Sequence, residues 1–239
     1  MSRLPLKDEA ASDRFPGMDA MAQAGHWDRT TEAVVAGRLG MPPDIRFFSQ
    51  HEEATAGALF DQLLDQHAEP RVPVVNMVDS RLAEKETDGW HYEDMPTDGD
   101  AWRQSLAALD DEAQQRCGQD FADAPQEQQA KILQGVHDLG YEQWGGAPAQ
   151  HVWSLWTRYA CTAFYSHPWA WDEIGWAGPA YPRGYKNLGV DKLEPFEVPD
   201  AHPVDPTRLG TKTQTSAGAG QGASQQQSPQ QDQHREGSA

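Results

Sequence analysis

Apolar residues recur at three- and four-residue spacing in five separate stretches of the chain, each bounded by proline, glycine or a capping residue. Leu59, Phe60, Leu63 and Leu64 share one face of a segment opened by Ser49-Gln50-His51-Glu52, with Pro70 beyond its end. That opening is a capping-box spacing, in which serine and glutamate satisfy each other's free amides. Pro73 opens a second segment with Val74, Val75, Met77, Val78 and Leu82 inward and Glu84-Lys85-Glu86 outward. Residues 87–99 read as loop by their Gly, Pro and Asp content. Trp102, Leu106, Leu109 and Ala113 mark a third helix, and Pro125 opens a fourth through Ile132, Leu133, Val136 and Leu139. The fifth starts near Pro148 and carries Val152, Trp153, Trp156, Tyr159, Ala160, Ala163 and Phe164. Up to Ser166 its only formal charge is Arg158, which predicts burial on most of its circumference. His167-Pro168 stops it, because proline lacks an amide donor and disfavours helical geometry in the residue before it. No stretch shows sustained alternation, so the pattern predicts an all-α bundle of about five helices.

The ends differ from this middle. Residues 1–46 are punctuated by proline and glycine and predict an extended N-terminal arm. One short helical piece fits at 30–39, capped at Thr30-Thr31-Glu32, with Val34, Val35 and Leu39 facing inward. Residues 47–197 form the helical domain, and 198–239 form a tail. From Thr211 onward the tail has no Ile, Leu, Val, Met, Phe, Trp or Tyr and has eight glutamines, so it is predicted to be disordered. Between helix and tail, Trp169, Trp171, Trp176, Tyr181 and Tyr185 interleave with Gly175, Gly178, Pro179, Pro182 and Gly184. Six of the nine tryptophans lie between positions 144 and 176, so packing energy is concentrated there. An aromatic loop of this kind cannot bury itself as a regular element. It needs the chain's own core or another protein to cover it.

The net charge of −18 argues against nucleic acid and against an anionic membrane surface as partners. No run approaches the roughly 18 apolar residues of a membrane span. Residues 1–17 lack an apolar segment and a twin-arginine pair, which predicts a cytoplasmic location, with export alongside a partner left open. Cys117 and Cys161 read as two free, buried or half-buried thiols in a reducing compartment.

Little in the sequence points to chemistry. A glycine-rich phosphate loop following a strand is missing, so no bound dinucleotide is expected in this chain. The Glu-x-x-His pairs of a di-iron bundle are missing too. Ser166-His167 are sequence neighbours whose side chains point apart, and Cys161 sits mid-helix among apolar residues. The enzymatic alternative is a metal-dependent helical enzyme using His151, His167 and Glu173. The favoured reading is a docking surface, because Trp, Tyr and Arg are the residues enriched at binding hot spots. Its candidates before the last turn of the motif are Tyr165, His167, Trp169, Trp171, Glu173 and Trp176. Pro179, Tyr181, Pro182, Arg183 and Tyr185 follow, within the stretch 178–185 that is expected to be the more exposed. If the aromatics instead fill the chain's own bundle, Arg183 is expected to pair with Glu173 or Asp172 at its rim.

His167-Pro168, Glu173-Ile174-Gly175-Trp176 and Gly178-Pro179-Ala180-Tyr181-Pro182-Arg183-Gly184-Tyr185 resemble the small-subunit family of gluconate 2-dehydrogenase, subunit 3. The segment 48–64 with Glu52 and Thr55, and the Tyr165-Ser166-His167-Pro168 end of the long helix, extend the likeness over about residues 47–185. The resemblance implies a non-catalytic helical subunit that stabilises or matures a dehydrogenase of the glucose-methanol-choline (GMC) type. In such complexes the large subunit carries FAD and the catalytic base, and some add a cytochrome subunit. The resemblance also implies a twin-arginine start in members that export their partner, a feature this sequence lacks.

Overall fold

In the computed structural model, which describes residues 14–187, 189 and 192–203, the predicted five helices form the core. A short helix α1 (Arg29–Arg38) precedes them. The bundle helices are α2 (Gln50–Leu64), α3 (Val74–Ala83), α4 (Asp98–Cys117), α5 (Gln126–Asp138) and α6 (Ala149–Ser166). Local chemistry sets their ends. The Ser49 hydroxyl accepts from the Glu52 amide at 3.3 Å and the Glu52 carboxylate accepts from the Ser49 amide at 2.8 Å. Pro73, Pro125 and Pro148 each stand one residue before a helix start. α4 begins at Asp98, inside the stretch expected to be loop.

Trp102 lies at the centre of the bundle, fully buried, edge-on to Phe48 and Tyr159 and tilted against Phe60 at centroid distances of 6.1, 5.7 and 5.5 Å. Trp156 crosses from α6 to α4, its indole donating to the Ser105 hydroxyl at 2.9 Å. Two carboxylates tie helices together. Asp110 of α4 accepts from the Thr55 hydroxyl of α2 and from the Phe121 amide, and lies 2.9 Å from His51 Nε2. Asp79 of α3 is wholly buried and accepts from the consecutive amides of Arg46, Phe47 and Phe48 at 2.6, 2.8 and 2.8 Å. It thereby fixes the entry into α2.

Three features depart from the pattern. A two-stranded hairpin pairs β1 (Gln143–Trp144) with β2 (Ala147–Pro148), the turn being Gly145-Gly146 with both φ positive. Two glycines are what a two-residue primed turn requires. After His167-Pro168 the chain re-enters a helix, α7 (Pro168–Ile174), so the aromatic stretch is not loop throughout. Proline at the first helical position costs nothing, because that amide has no partner within the helix.

The arm is only partly extended. Residues Ala20–His26 form a 3-10 turn capped by Asp19, and α1 is capped by Asp28, not by the threonines. The Thr31 amide donates to the Asp28 carboxylate at 2.7 Å, and hydrogen bonding from the Thr31 side chain first, then from this amide, holds that carboxyl below its usual range. Val35 faces inward and Val34 outward, since adjacent helical residues diverge by about 100°. The start of the expected tail is not free: Ala201 donates to the Arg14 carbonyl and Asp200 pairs with Arg14, both at 2.7 Å. Its remainder, from 204 on, lies outside the described residues.

A candidate partner-binding surface at one end of the bundle

The end of α6 is closed by side chains from elsewhere. The Tyr165 carbonyl accepts from the Trp171 indole and the Ser166 carbonyl from Arg38 Nη1, both at 2.7 Å. These are carbonyls a helix terminus leaves without intrahelical partners. α7 is clamped in turn: Asp172 accepts from the Ala20 amide and Trp27 donates to the Pro179 carbonyl, both at 2.7 Å. Trp171 then packs with Ala20, Trp27 and Val35 into a second, small core, separate from that of the bundle. Gly178 (φ +77°) lies against Trp27, where an added Cβ would meet the ring at 2.9 Å. The arm reaches α7 only because this position is glycine.

Two predicted site residues are therefore internal. Trp171 is 1% exposed and His167 is 2% exposed, so neither offers a surface to a partner. Each is held by hydrogen bonding as well as packing: His167 Nδ1 accepts from the Trp169 amide at 3.3 Å and caps α7. Trp169 and Glu173 are half-buried. Tyr165, Trp176, Tyr181, Pro182 and Tyr185 are exposed, and of the four aromatics Tyr181 is the most so, at 64%. Trp176 rests edge-on against Trp171 at 4.6 Å, so the buried ring props the exposed one. Pro179 is half-buried with its carbonyl engaged. Arg183 donates to Gln23 Oε1 at 2.9 Å and lies 3.5 Å from the centre of the Phe196 ring. Sequence reasoning missed Ile174 and Val34, both exposed here. Val34 was recoverable from the period of α1, where only one of two adjacent valines can face in.

The metal-enzyme alternative fails on geometry. His151 stands near the start of α6 and His167 just past its end, 16 residues apart in number and so about 24 Å apart at the helical rise. His151 is engaged with Asp94 at 2.8 Å and stacked on Tyr92 at 3.7 Å. Among the described residues no three His, Cys, Asp or Glu side chains are placed to hold a metal ion. Cys161, expected to be buried or half-buried, is exposed on α6, and Cys117 is half-buried with its thiol donating to the Ala113 carbonyl. No described helix is long and apolar enough to cross a membrane.

Burial holds the His167 imidazole neutral and pushes its pKa down from 6.5 to about 4, against a hydrogen bond with the Arg38 backbone that favours the protonated ring, the Arg38 charge adding a smaller lowering. The unfolded chain therefore binds a proton more readily between those values. Stability from this group is complete above pH 6.5 and is lost as pH falls toward 4, by roughly 3 kcal/mol in all. Urea unfolding at pH 7 and at pH 4.5 is expected to show that loss, and His167→Asn is expected to flatten it. An unchanged slope in the variant would assign the acid sensitivity elsewhere.

The described residues form an all-α bundle that keeps His151 and His167 far apart and leaves Tyr165, Trp176, Tyr181 and Tyr185 exposed. The family model for gluconate 2-dehydrogenase subunit 3 matches residues 50–178, and the chain belongs to that family of dehydrogenase-complex subunits. The match runs from the first turn of α2 to the glycine against Trp27. It is shorter than the expected 47–185, so Pro179, Tyr181, Pro182, Arg183 and Tyr185 fall outside it. No curated protein and no solved structure matches the chain.

Proposed function

We propose that this chain is a non-catalytic subunit that binds, in the cytoplasm, an FAD-dependent dehydrogenase of the GMC type acting on sugars or alcohols. The flavin and the catalytic base belong to the partner. The observation that supports this is the exposure of Tyr165, Ile174, Trp176, Tyr181 and Tyr185 on one stretch whose backbone is fastened by buried Trp171, Trp27 and His167. Rigid aromatic groups presented on an anchored backbone lose little conformational freedom on binding.

Coexpression with the candidate flavoprotein, followed by native mass measurement, tests the reading. A complex containing both chains and flavin is expected. Trp176→Ala and Tyr181→Ala are expected to lower complex yield at least about tenfold while costing the isolated chain about 1 kcal/mol or less, the scale of one aromatic edge contact. A chain that stays monomeric beside its folded dehydrogenase would sink the proposal, and so would variants that assemble like the parent.

A further inference from the structure

Beyond the aromatic face, residues from 183–187 and 194–196 and from the Ala20–His26 turn line a cleft of about 520 Å³. Its walls carry Arg183, Lys186 and His26, a concentration of basic groups in a chain of net charge −18. Lys186 and His26 make no ion pair with a described residue. Glu194, the acid on the same wall, has its Oε1 turned to the backbone amides of Lys186 and Asn187. Arg183 uses Nη1 on Gln23 and lays its guanidinium against the Phe196 ring. Its Nε and Nη2 are shielded from water and have no hydrogen-bond partner. A guanidinium edge stripped of water with no acceptor in place is half of an interaction. The Nε–Nη2 edge presents two parallel N–H groups, the geometry that a carboxylate matches with both oxygens.

We propose that this cleft is a receptor for a carboxylate, supplied by an aspartate or glutamate side chain of the catalytic partner as it docks on the aromatic face. The inference rests on the proposed docking and names the chemistry of the partner surface beside the tryptophans. Arg183 and Lys186 stand against the single carboxylate of Glu194 in the lining, a balance that favours an acid where the chain as a whole, at −18, repels one. Entry requires the fork, now shielded from water, to turn into the cleft.

Affinity for the coexpressed flavoprotein, measured at low and high salt, tests this with Arg183→Gln and Arg183→Lys. Both are expected to weaken binding about tenfold or more, because lysine keeps the charge but lacks the two-pronged edge. Arg183→Gln is also expected to make binding less sensitive to salt. Thermal unfolding of each isolated variant is expected to keep the bundle transition of the parent, with loss confined to the Gln23 and Phe196 contacts of Arg183. Full binding by Arg183→Lys would overturn the fork, and full binding by Arg183→Gln would overturn the site. Millimolar sodium acetate that stabilises the free chain through Arg183 would assign the cleft to a small anion and overturn the partner carboxylate. If Tyr181→Ala loses the complex while Arg183→Gln keeps it, the aromatic face stands and the receptor falls. If the parent chain forms no complex, both fall.

Discussion

Trp171→Ala is expected to release the N-terminal arm while the five-helix core stays folded. The ring is 1% exposed, and large-to-small changes at such sites cost about 3–5 kcal/mol. Here the loss falls on a small structure. Trp171 is the hub on which Ala20, Trp27 and Val35 pack, and those four residues share no cluster with the bundle. The variant also removes the indole donor from the Tyr165 carbonyl. A core of four residues has no reserve against a loss of that size, so the arm and α7 should open before anything else does. Hydrogen exchange is expected to lose protection over 20–39 and 168–180, with α2 to α6 protected as in the parent. One cooperative transition shifted as a whole would show that the two cores act as one.

The same substitution bears on function, because Trp176 leans on Trp171 and Trp27 holds the Pro179 carbonyl. The exposed aromatics keep their places only while the arm is docked. Loss of the complex in Trp171→Ala would therefore come with local opening, whereas Trp176→Ala would lose it without. Comparing the two separates a prop from a contact.

The helices of the bundle were legible because each is written locally. Ser49 with Glu52, and Pro73, Pro125 and Pro148, mark starts by chemistry that needs no tertiary partner. The second core was not legible. Trp27 and Trp171 are 144 positions apart, and nothing near Trp27 announces that its indole will meet the Pro179 carbonyl. Periodicity likewise cannot find α7, whose seven residues make under two turns and follow a proline read as a stop. The Trp144-Gly145-Gly146-Ala147 hairpin carried a local mark, paired glycines between apolar residues, that was overlooked. For the surface itself, residue type pointed to the right stretch but could not sort inside from outside. Trp169, Trp171 and Trp176 look alike in sequence, yet they are half-buried, buried and exposed.

Asp79→Ala is expected to destabilise the bundle itself by about 3–5 kcal/mol, because it strands three backbone donors at once. One oxygen of Asp79 accepts from both Phe47 and Phe48 at 2.8 Å, and the other accepts from Arg46 at 2.6 Å. Asp79 is fully buried and Phe48 nearly so, which leaves water little access to replace those acceptors. Three consecutive amides aimed at one carboxylate form a concave donor site, and its occupant here comes from the chain's own α3. An asparagine side chain in its place would keep one oxygen for Phe47 and Phe48 but turn an amide N–H toward the Arg46 amide, so Asp79→Asn should recover part of the loss, not all. The damage should reach Trp102, since Phe48 packs on that ring from the segment the carboxylate positions. Denaturant unfolding of the two variants, followed by tryptophan fluorescence, is the measurement. An alanine variant as stable as the parent would mean that the entry to α2 is held by the Ser49 cap and the packing of Phe47 and Phe48, with the buried charge dispensable. An asparagine variant worse than alanine would mean that donor–donor repulsion at Arg46 outweighs the bonds retained.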